Sequence, residues 1–498
     1  MGCTLGVDIG TFESKGVIVS QCGGIIASAA RPHEMIVPRP GWAEHRADAD
    51  WWDDFTHITR ELLASSGVKP ERIEAVAVSA IGPCMLPVDR QGSPLMNAVL
   101  YGVDTRASEE IKLLNAEIGG QRILDICGNA LTSQSVGPKI LWLRRNEPEI
   151  FRRTAKILTS TSYIIHRLTG KFVIDHYTAA NFSPLYDVKR QDWTQELTDR
   201  IVSPERLPEL AWSVDIAGRI HAQAAGQTGL VAGTPVTAGT IDAAAEAVSV
   251  GTRNAGDMML MYGSTIFIIQ LTDERVSDQR LWYAPWLFPG MHASMAGLAT
   301  SGTLTHWFRD QMARELPRGE AFAVLAAEAE SSPPGANGLI LLPYFSGERT
   351  PIHDPLAKGC LFGLNLTQGR GDIYRALLEG IANGTAHVIE TYREIGQSPG
   401  RILAVGGGVR NRLWLQATSD IGNLPQLVAE KTIGASYGNA FLAACAMGSA
   451  KAEDIDAWNP VRERILPVDL PVYRKQYQLF RLLYEQTKDI AAALEQSP

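Results

Sequence analysis

Short apolar runs along the chain alternate with stretches in which apolar residues recur at helical spacing. Near the N-terminus, Leu5, Val7 and Ile9 precede the small residues Gly10 and Thr11, and further apolar residues follow. This pattern predicts a strand, a tight turn and a second strand. Residues 73–82, IEAVAVSAIG, are almost all apolar, which is typical of a strand buried on both faces. Strands that alternate with helices in this way predict an α/β fold.

A second hairpin pattern occurs far downstream, at residues 258–271, MMLMYGSTIFIIQL. Its apolar strands flank the turn GST as the first pair flanks GT, and such an internal repeat predicts two domains, each opening on a hairpin. The small and polar residues at 250–256 suit a boundary. We therefore expect one domain at residues 1–250, a second at 251–450, and an amphipathic helical tail at 451–498 that packs on the second domain.

The length of the chain, 498 residues, agrees with two domains because one hydrophobic core rarely serves so many residues. Its 45% hydrophobic and 20% charged residues are ordinary for a soluble globular protein. The 46 basic and 54 acidic residues give a net charge of −8, and the sequence contains no basic run. We therefore expect no nucleic-acid partner.

The sequence also argues against membrane and transition-metal chemistry. No apolar stretch approaches the roughly 18 residues that a membrane-spanning helix needs, so we expect no membrane partner. The N-terminus shows no signal-peptide pattern, and the six cysteines form no CxxC pair, which together predict reduced thiols and a cytoplasmic location. The ten histidines include no HxxxH or HExxH, so a transition metal held by the protein is not expected.

Three features stand where predicted strands end. Asp8 lies at the bend of the first hairpin, Asp242 opens an alanine-rich helix, and Gly406–Gly408 join an apolar strand to a helix. Taken singly, an Asx turn explains Asp8, a helix N-cap explains Asp242, and a tight turn explains the glycines. However, ligand sites of α/β sheets are also built at strand ends, and glycine-lined helix N-termini bind phosphates. The local pattern leaves both interpretations open.

An ordered set of motifs decides between them, because it resembles one family over nearly the whole chain. The motifs are GVDIGTFESKGVIV, PGWAEHRADADWW, VDTRA, PKILWLRRNEPEIF, GTIDAAAEA, YGST, ATSGTLTHWFRD, LPYFSGERTPIHDPLAKGCLFGL, RALLEGIA and VGGGVRNRLWLQATSD. Each motif is weak alone, but the ordered set is specific and resembles the FGGY carbohydrate kinases. The resemblance implies two actin-like ATPase (ribonuclease H-like) domains with a ligand cleft between them.

The resemblance also implies roles for particular residues. Asp8 would approach the Mg²⁺ ion bound to ATP, since one carboxylate and phosphate oxygens suffice for magnesium. Asp242 matches the family's catalytic base, which orients the attacking hydroxyl and accepts its proton. The residues placed around ATP are Gly10, Thr11 and Lys15 in the first phosphate loop, Gly263, Ser264 and Thr265 in the second, Gly302 and Thr303 nearby, and Gly406, Gly407 and Asn411 beside the adenine and ribose.

The expected sugar site combines Asp242 with residues of two further motifs. Asp104 and Arg106 of VDTRA match a polar motif beside the sugar, although a surface ion pair explains them equally well. Gly82 and Pro83 belong to VSAIGPC, where xylulokinases of the family usually carry Gln-Met-His. Alanine follows Asp242, where many members have Gln or Asn. These departures leave the substrate less well defined than the reaction.

We expect ATP-dependent phosphorylation of a small sugar by in-line transfer to a hydroxyl. A ketopentose is the leading acceptor, because the overall pattern is nearest the xylulokinase-like branch. A kinase for glycerol, erythritol or a shorter ketose is the alternative within the family. An actin-like ATP-binding module and a sugar sensor are the alternatives outside it. The module predicts a partner-binding domain, for which the residues beyond about Pro467 are too few, and the retained Asp8, Asp242 and both hairpins argue against a sensor that has lost catalysis. A homodimer is left open.

Overall fold

A computed structural model describes residues 2–495, and of Asp199 it describes the backbone alone. Contacts divide the chain into two units, which we call unit 1 and unit 2. Unit 1 comprises Met1–Arg253, Asp273–Ala293 and Ile433–Pro460, and unit 2 comprises Asn254–Thr272, Ser294–Thr432 and Val461–Pro498. Residue 1 of the predicted first domain and residues 496–498 of the predicted tail lie outside the described residues.

Thirteen strands of the two large sheets are numbered here in chain order. They are β1 (Cys3–Ile9), β2 (Glu13–Ser20), β3 (Ile25–Pro32), β4 (Ile73–Ala80), β5 (Ile216–Arg219), β6 (Pro235–Thr237), β7 (Thr240–Ile241), β8 (Asp257–Tyr262), β9 (Ile266–Thr272), β10 (His292–Leu298), β11 (Arg401–Val405), β12 (Gln426–Ala429) and β13 (Val461–Ile465). Short pairs form between Glu44–His45 and Ala98–Val99, Leu86–Val88 and Lys156–Leu158, Val173–Asp175 and Glu209–Ala211, Tyr186–Asp187 and Asp192–Trp193, and Ile340–Leu342 and Cys360–Phe362.

The principal helices are likewise numbered in chain order. They are α1 (Asp53–Ser66), α2 (Asp242–Ser249), α3 (Gly302–Met312), α4 (Ala321–Glu330), α5 (Arg370–Glu394), α6 (Arg412–Gly422), α7 (Ala435–Ala446) and α8 (Pro471–Glu495). Other helices of unit 1 include Val136–Asn146, Ser160–Thr169 and Ala222–Thr228. Within residues 2–495, no helix is long and apolar enough to cross a bilayer.

The sheet of unit 1 has the order β5-β6-β4-β1-β2-β3, and β7 also pairs with β4. Strand β1 pairs antiparallel with β2 and parallel with β4, so that Asp8 lies opposite both Lys15 and Ser79. Val7 and Val78 are fully buried, as the apolar run predicted. Burial of each such side chain contributes roughly 1.5–3 kcal/mol, which fixes the register and therefore the position of Asp8 at the end of β1.

The sheet of unit 2 repeats this plan, with its numbered strands in the order β10-β9-β8-β11-β12-β13. Strands β8 and β9 form the predicted second hairpin, with Tyr262 opposite Ile266 across the turn. Strand β11 runs parallel to β8 and leads into the triple glycine at the start of the next helical segment. Each sheet therefore delivers a hairpin turn and a parallel strand end to the same edge.

The contact-based units differ from the predicted contiguous domains, because unit 1 also includes residues 251–253, 273–293 and 433–460. Residues 433–460 belong to unit 1, although they were assigned to the second domain and the tail. The physical reason is the small-residue composition of α7. A Cβ added to Gly438 would lie 1.9 Å from the carbonyl oxygen of Ala245, and one added to Gly6 would lie 2.0 Å from that of Ser436. Glycines thus let α7 pack directly on α2 and β1.

Candidate active site

Asp8 is held by side chains of β4 and α7. Ser79 Oγ donates to Asp8 Oδ1 at 2.6 Å. Asn439 Nδ2 donates both to Ser79 Oγ, at 2.8 Å, and to the carbonyl oxygen of Val7, at 2.9 Å. Burial raises the pKa of Asp8 to about 6, against the opposing effects of the Ser79 hydrogen bond and the charge of Lys15. Its side chain bonds across the sheet, which argues for the ligand interpretation over an Asx turn.

Three carboxyl groups of unit 1 share this strand end: Asp8, Asp242 and Glu246. Burial first and the charge of Asp8 second raise the pKa of Asp242 well above its usual range. The same two causes raise the pKa of Glu246 to about 7. Like charges that are partly removed from water disfavour one another's ionisation. A cation bound beside Asp8 would offset this repulsion, which suits a site for a divalent metal with phosphate oxygens.

Asp242 occupies the first residue of α2 and not the N-cap. The N-cap residue is Ile241, whose side chain makes no capping hydrogen bond. Asp242 Oδ1 accepts from the backbone N–H of Ala243 at 2.7 Å. In the part of the chain that the structure describes, Oδ2 takes no hydrogen bond, so this oxygen is available to a ligand hydroxyl.

Because these carboxyl groups repel one another when ionised, the removal of the Glu246 charge is expected to change the stability of the protein. Its pKa is about 7 in the folded protein and about 4.3 in an unfolded chain, so its ionisation costs stability progressively as pH rises through this window. We expect Glu246→Gln to stabilise the protein at pH 8 by roughly 1–2 kcal/mol, and to change little at pH 4, where the carboxyl is neutral in both states. Thermal unfolding at the two pH values measures this difference.

The exposed Glu61 of α1 provides the matched control for Glu246. Glu61→Gln should leave the unfolding temperature within about a degree at both pH values, because surface charges contribute little. An equal stabilisation by Glu246→Gln at pH 4 and pH 8 would show that packing and not charge is responsible.

The first hairpin carries the predicted phosphate-loop residues Gly10 and Thr11 in its turn and Lys15 in β2. A Cβ on Gly10 would lie 2.5 Å from the carbonyl oxygen of Glu13, so the tight turn requires glycine. Thr11 Oγ1 lies 3.3 Å from the hydroxyl of Tyr101. Lys15 Nζ lies 2.9 Å from Glu13, and both side chains are nearly half exposed. Such a surface pair is weak enough for a phosphate group to replace Glu13.

Asp104 and Arg106 are a buried pair, so their interpretation as a surface ion pair is wrong. Both side chains are 0% exposed, with Arg106 Nη2 at 2.8 Å from Asp104 and 2.9 Å from Glu44. Asp104 also accepts from the backbone N–H of Ala43 at 2.7 Å, and the guanidinium lies 3.7 Å from the centroid of the Trp42 ring. Arg106 Nη1 is buried without a partner among the described residues. These contacts give Asp104 a structural role and leave one donor of Arg106 available.

The segment that contains Gly82 and Pro83 follows β4 directly. The backbone N–H of Ile81 donates to the carbonyl oxygen of Ile9 at 2.8 Å, which fixes the segment beside the end of β1. Burial raises the pKa of the neighbouring Cys84 to about 12, so its thiol is neutral. Pro83 has no backbone N–H, and Gly82, as a glycine, has no side chain that could donate a hydrogen bond. The segment at residues 81–84, which we call the wall, therefore offers few hydrogen-bond donors.

Unit 2 contains a cavity of about 570 Å³ at the second hairpin and the triple glycine. The predicted nucleotide residues that line it are Gly263, Ser264, Gly302, Gly407 and Asn411. Thr265, Thr303 and Gly406 are outside its lining. Thr303 donates through its backbone N–H and its hydroxyl to the carbonyl oxygen of Ser264, at 3.1 and 2.9 Å. The start of α3 thus supports the hairpin turn.

The walls of this cavity suit a flat aromatic group. Phe322, Ala323 and Ala326 line it from α4, and Tyr374 lines it from α5. Gly407 has open space around its Cα, because an added Cβ would meet nothing within 4 Å. An apolar slot bordered by a glycine turn allows a planar ring to approach the backbone, while the hairpin turn provides polar groups at the other end. The lining therefore fits a purine nucleotide.

Sequence reasoning missed several residues of both sites. In unit 1 these are Ser79, Tyr101, Glu246 and Asn439, and in unit 2 they are Thr305, His306, Phe322, Ala323, Ala326, Tyr374, Arg410 and Trp414. The sequence contained two features that could have indicated the missed residues of unit 1. Glu246 follows Asp242 by four residues and so shares its helix face, and Asn439 is a polar residue in an otherwise small and apolar helix. The aromatic residues of unit 2 resemble ordinary core positions.

Comparison with known proteins identifies the family of the chain. The models for the N-terminal and C-terminal domains of the FGGY family of carbohydrate kinases match residues 3–249 and 258–447. A xylulose kinase of Bacillus subtilis is 29% identical over 502 residues, which cover 99% of each chain. A gluconokinase of the same species is 26% identical over 470 residues, covering 93% of this chain and 90% of the relative. The crystal structure of xylulose kinase from Rhodospirillum rubrum gives a TM-score of 0.93 at 31% identity, covering 98% of this chain and 100% of that one.

Both halves of the chain are thus matched by models of one enzyme family, which makes this protein an enzyme that phosphorylates sugars. It belongs to the FGGY family of carbohydrate kinases. The predicted family and the predicted two-domain α/β class are confirmed.

Proposed function

We propose that the protein transfers the γ-phosphoryl group of ATP to a hydroxyl of a ketopentose, with Mg²⁺ as the metal. The observation that carries the proposal is Asp242, whose Oδ2 takes no hydrogen bond in the described part of the chain and whose pKa is raised beside Asp8. A carboxylate of raised pKa is a stronger base than an ordinary one, which suits a group that takes a proton from a sugar hydroxyl. The relatives named as xylulose kinases support the choice of a ketopentose.

Each residue of the proposed mechanism has a distinct task. Asp242 Oδ2 orients the attacking hydroxyl and receives its proton as the bond to phosphorus forms. Asp8 would hold the magnesium ion or one of its waters, and magnesium supplies charge neutralisation at the phosphate oxygens when bound. The turn Gly10–Thr11 and the side chain of Lys15 would contact the phosphates. Since phosphoryl transfer depends mainly on positioning and charge, these groups suffice.

The nucleotide is assigned to unit 2 on the shape of its cavity. Phe322 and Ala323 would contact the adenine, while Gly407 and Asn411 would border the ribose. Gly263 and Ser264 would approach the phosphates through their turn. Asn411 Oδ1 already caps α6 by accepting from the backbone N–H of Trp414 at 3.1 Å, so its amide group is held in a fixed orientation.

A substrate panel tests the proposal. ADP release is measured with ketopentoses, ketohexoses, gluconate, glycerol and erythritol, and without an acceptor. We expect a ketopentose to give the highest kcat/KM. Because the wall at residues 81–84 offers few donors, we also expect D-xylulose to exceed the next acceptor by less than about a hundredfold. A larger advantage for D-xylulose would show that a hydrogen-bonding group outside residues 81–84 recognises its hydroxyls.

Two outcomes of the panel would overturn the proposed function. ATP turnover that is independent of every acceptor would point to an actin-like ATP-binding module. Phosphorylation of gluconate or a polyol, with no activity on ketopentoses, would show that the protein is a kinase but that the proposed acceptor is wrong.

A further inference from the structure

His33, on the segment after β3, contacts the turn of the first hairpin in two ways. Its backbone N–H donates to the carbonyl oxygen of Phe12 at 2.9 Å. Its ring Nε2 lies 3.0 Å from the carbonyl oxygen of Gly10. The side chain is 6% exposed, so these contacts are shielded from water. The turn is therefore fixed from outside the hairpin as well as by its own backbone.

Asp54 of α1 connects His33 to the other side of the same turn. Its Oδ2 lies 2.8 Å from His33 Nδ1 and accepts from Ser14 Oγ, also at 2.8 Å. Its Oδ1 lies 3.2 Å from Nε of Arg31. The carboxylate is 2% exposed. One buried group thus holds the strand residue after the turn and, through His33, the residue that begins it.

The partners of His33 constrain its donors. The carbonyl oxygen of Gly10 can only accept a hydrogen bond, so ring Nε2 is the donor in that contact. Ring Nδ1 and Asp54 Oδ2 share the second hydrogen bond, at 2.8 Å. His33 therefore links the buried carboxyl group of Asp54 to the turn through both of its ring nitrogens.

We propose that His33 and Asp54 are positioning residues that hold the turn Gly10–Phe12 in the shape that receives the nucleotide phosphates. This inference rests on the proposed function, because that function makes the turn a phosphate loop. Hydrogen bonds to a carboxylate are stronger than those between neutral groups, and buried ones contribute more than exposed ones. A turn fixed before the ligand arrives avoids the entropic cost of ordering it at binding. The effect should therefore fall on phosphate binding and not on the sugar.

The test uses His33→Phe, which keeps a ring of similar size and removes both ring nitrogens. Binding of the Mg²⁺ complex of a non-hydrolysable ATP analogue is measured by calorimetry, and binding of adenosine, which lacks phosphates, is measured beside it. We expect the dissociation constant of the analogue to rise roughly tenfold or more, while that of adenosine and the KM of the sugar change less than about twofold. Hydrogen exchange at residues 10–14 should be faster in the variant.

Three further variants make the test specific. His57→Phe changes an exposed histidine of α1 that lies 3.6 Å from Glu61, and it should leave every value unchanged. His33→Gln retains one donor and should give an intermediate loss. It also keeps the test valid if His33→Phe does not fold. Asp54→Asn combined with His33→Phe should weaken binding of the analogue little more than His33→Phe alone, because the two residues act as one unit.

The outcomes separate this inference from the proposed function. A variant that unfolds at lower temperature but binds the analogue as the unaltered protein does would show that His33 only supports the fold. Equal weakening of adenosine and the analogue would also overturn the phosphate-loop role. If the unaltered protein binds no ATP analogue at all, the proposed function fails first and this inference with it.

Discussion

Asp242→Asn is expected to lower sugar phosphorylation by at least about a hundredfold, the range typical of losing a general base. Asparagine keeps an oxygen for the backbone N–H of Ala243, so α2 should begin as before. It cannot take the hydroxyl proton. Removal of one carboxylate from beside Asp8 should also leave the fold as stable, or slightly more so, at pH 8. A coupled assay of ADP release and a thermal unfolding curve on the same sample measure both effects.

The pH profile of the unaltered enzyme provides a second check on Asp242. Its pKa is raised, and only the ionised form can accept a proton, so activity should fall as pH drops through a value above the ordinary range of aspartate. The exposed Asp125, changed to asparagine, is the matched control and should behave as the unaltered protein. Near-normal turnover of Asp242→Asn would contradict the role of Asp242 as the base and would leave it only its hydrogen bond to the backbone at the start of α2.

Asp8→Asn is expected to remove most of the turnover at physiological Mg²⁺, also by about a hundredfold or more. The amide oxygen can still accept from Ser79 Oγ, so the end of β1 should keep its structure. What the variant loses is the fixed negative charge nearest to the proposed metal, which hard divalent cations require. A titration of activity against Mg²⁺ should therefore shift to higher concentrations and plateau lower.

The result for Asp8 can be separated from a general weakening of the protein. The stability of Asp8→Asn should match or exceed that of the unaltered chain at pH 8. Burial raises the pKa of Asp8 to about 6, so the ionised carboxylate is disfavoured in the folded protein. If Asp8→Asn retains full turnover at the same Mg²⁺ concentration, Asp8 is a strand residue without a role in metal binding.

The two hairpins were predictable because their signals are local. Apolar strands around GT and GST are visible within fifteen residues, and β1, β2, β8 and β9 formed where expected. The second neighbour of β1 was not predictable, since the pairing of β1 with β4 joins residues more than sixty positions apart. The place of residues 433–460 in unit 1 was missed for the same reason: small residues in α7 show that something packs closely, but not what.

The same distinction between local signals and long-range packing applies to the candidate site. Asp8, Asp242 and the triple glycine were visible because strand ends place them in a recognisable order. The hydrogen bonds from Asn439 to Ser79 and Val7 were not, because they depend on tertiary packing across most of the chain. Arg106 shows a further limit. Its sequence pattern is the same for a surface pair and a buried one, and only the three-dimensional structure reveals that its carboxylate partners and Trp42 enclose it.

The late position of α7 in the sequence has a consequence for biosynthesis. Unit 1 receives its first continuous stretch, Met1–Arg253, early in translation, but Ile433–Pro460 follows only after a gap of about 180 residues. At synthesis rates of roughly 5–20 residues per second, this gap lasts on the order of 10–40 s. During that time the face of β1 around Gly6 lacks its covering helix. A nascent chain of this protein therefore carries an incomplete first unit until residues 433–460 have been synthesised, and its exposed apolar surface is prone to aggregation during this interval.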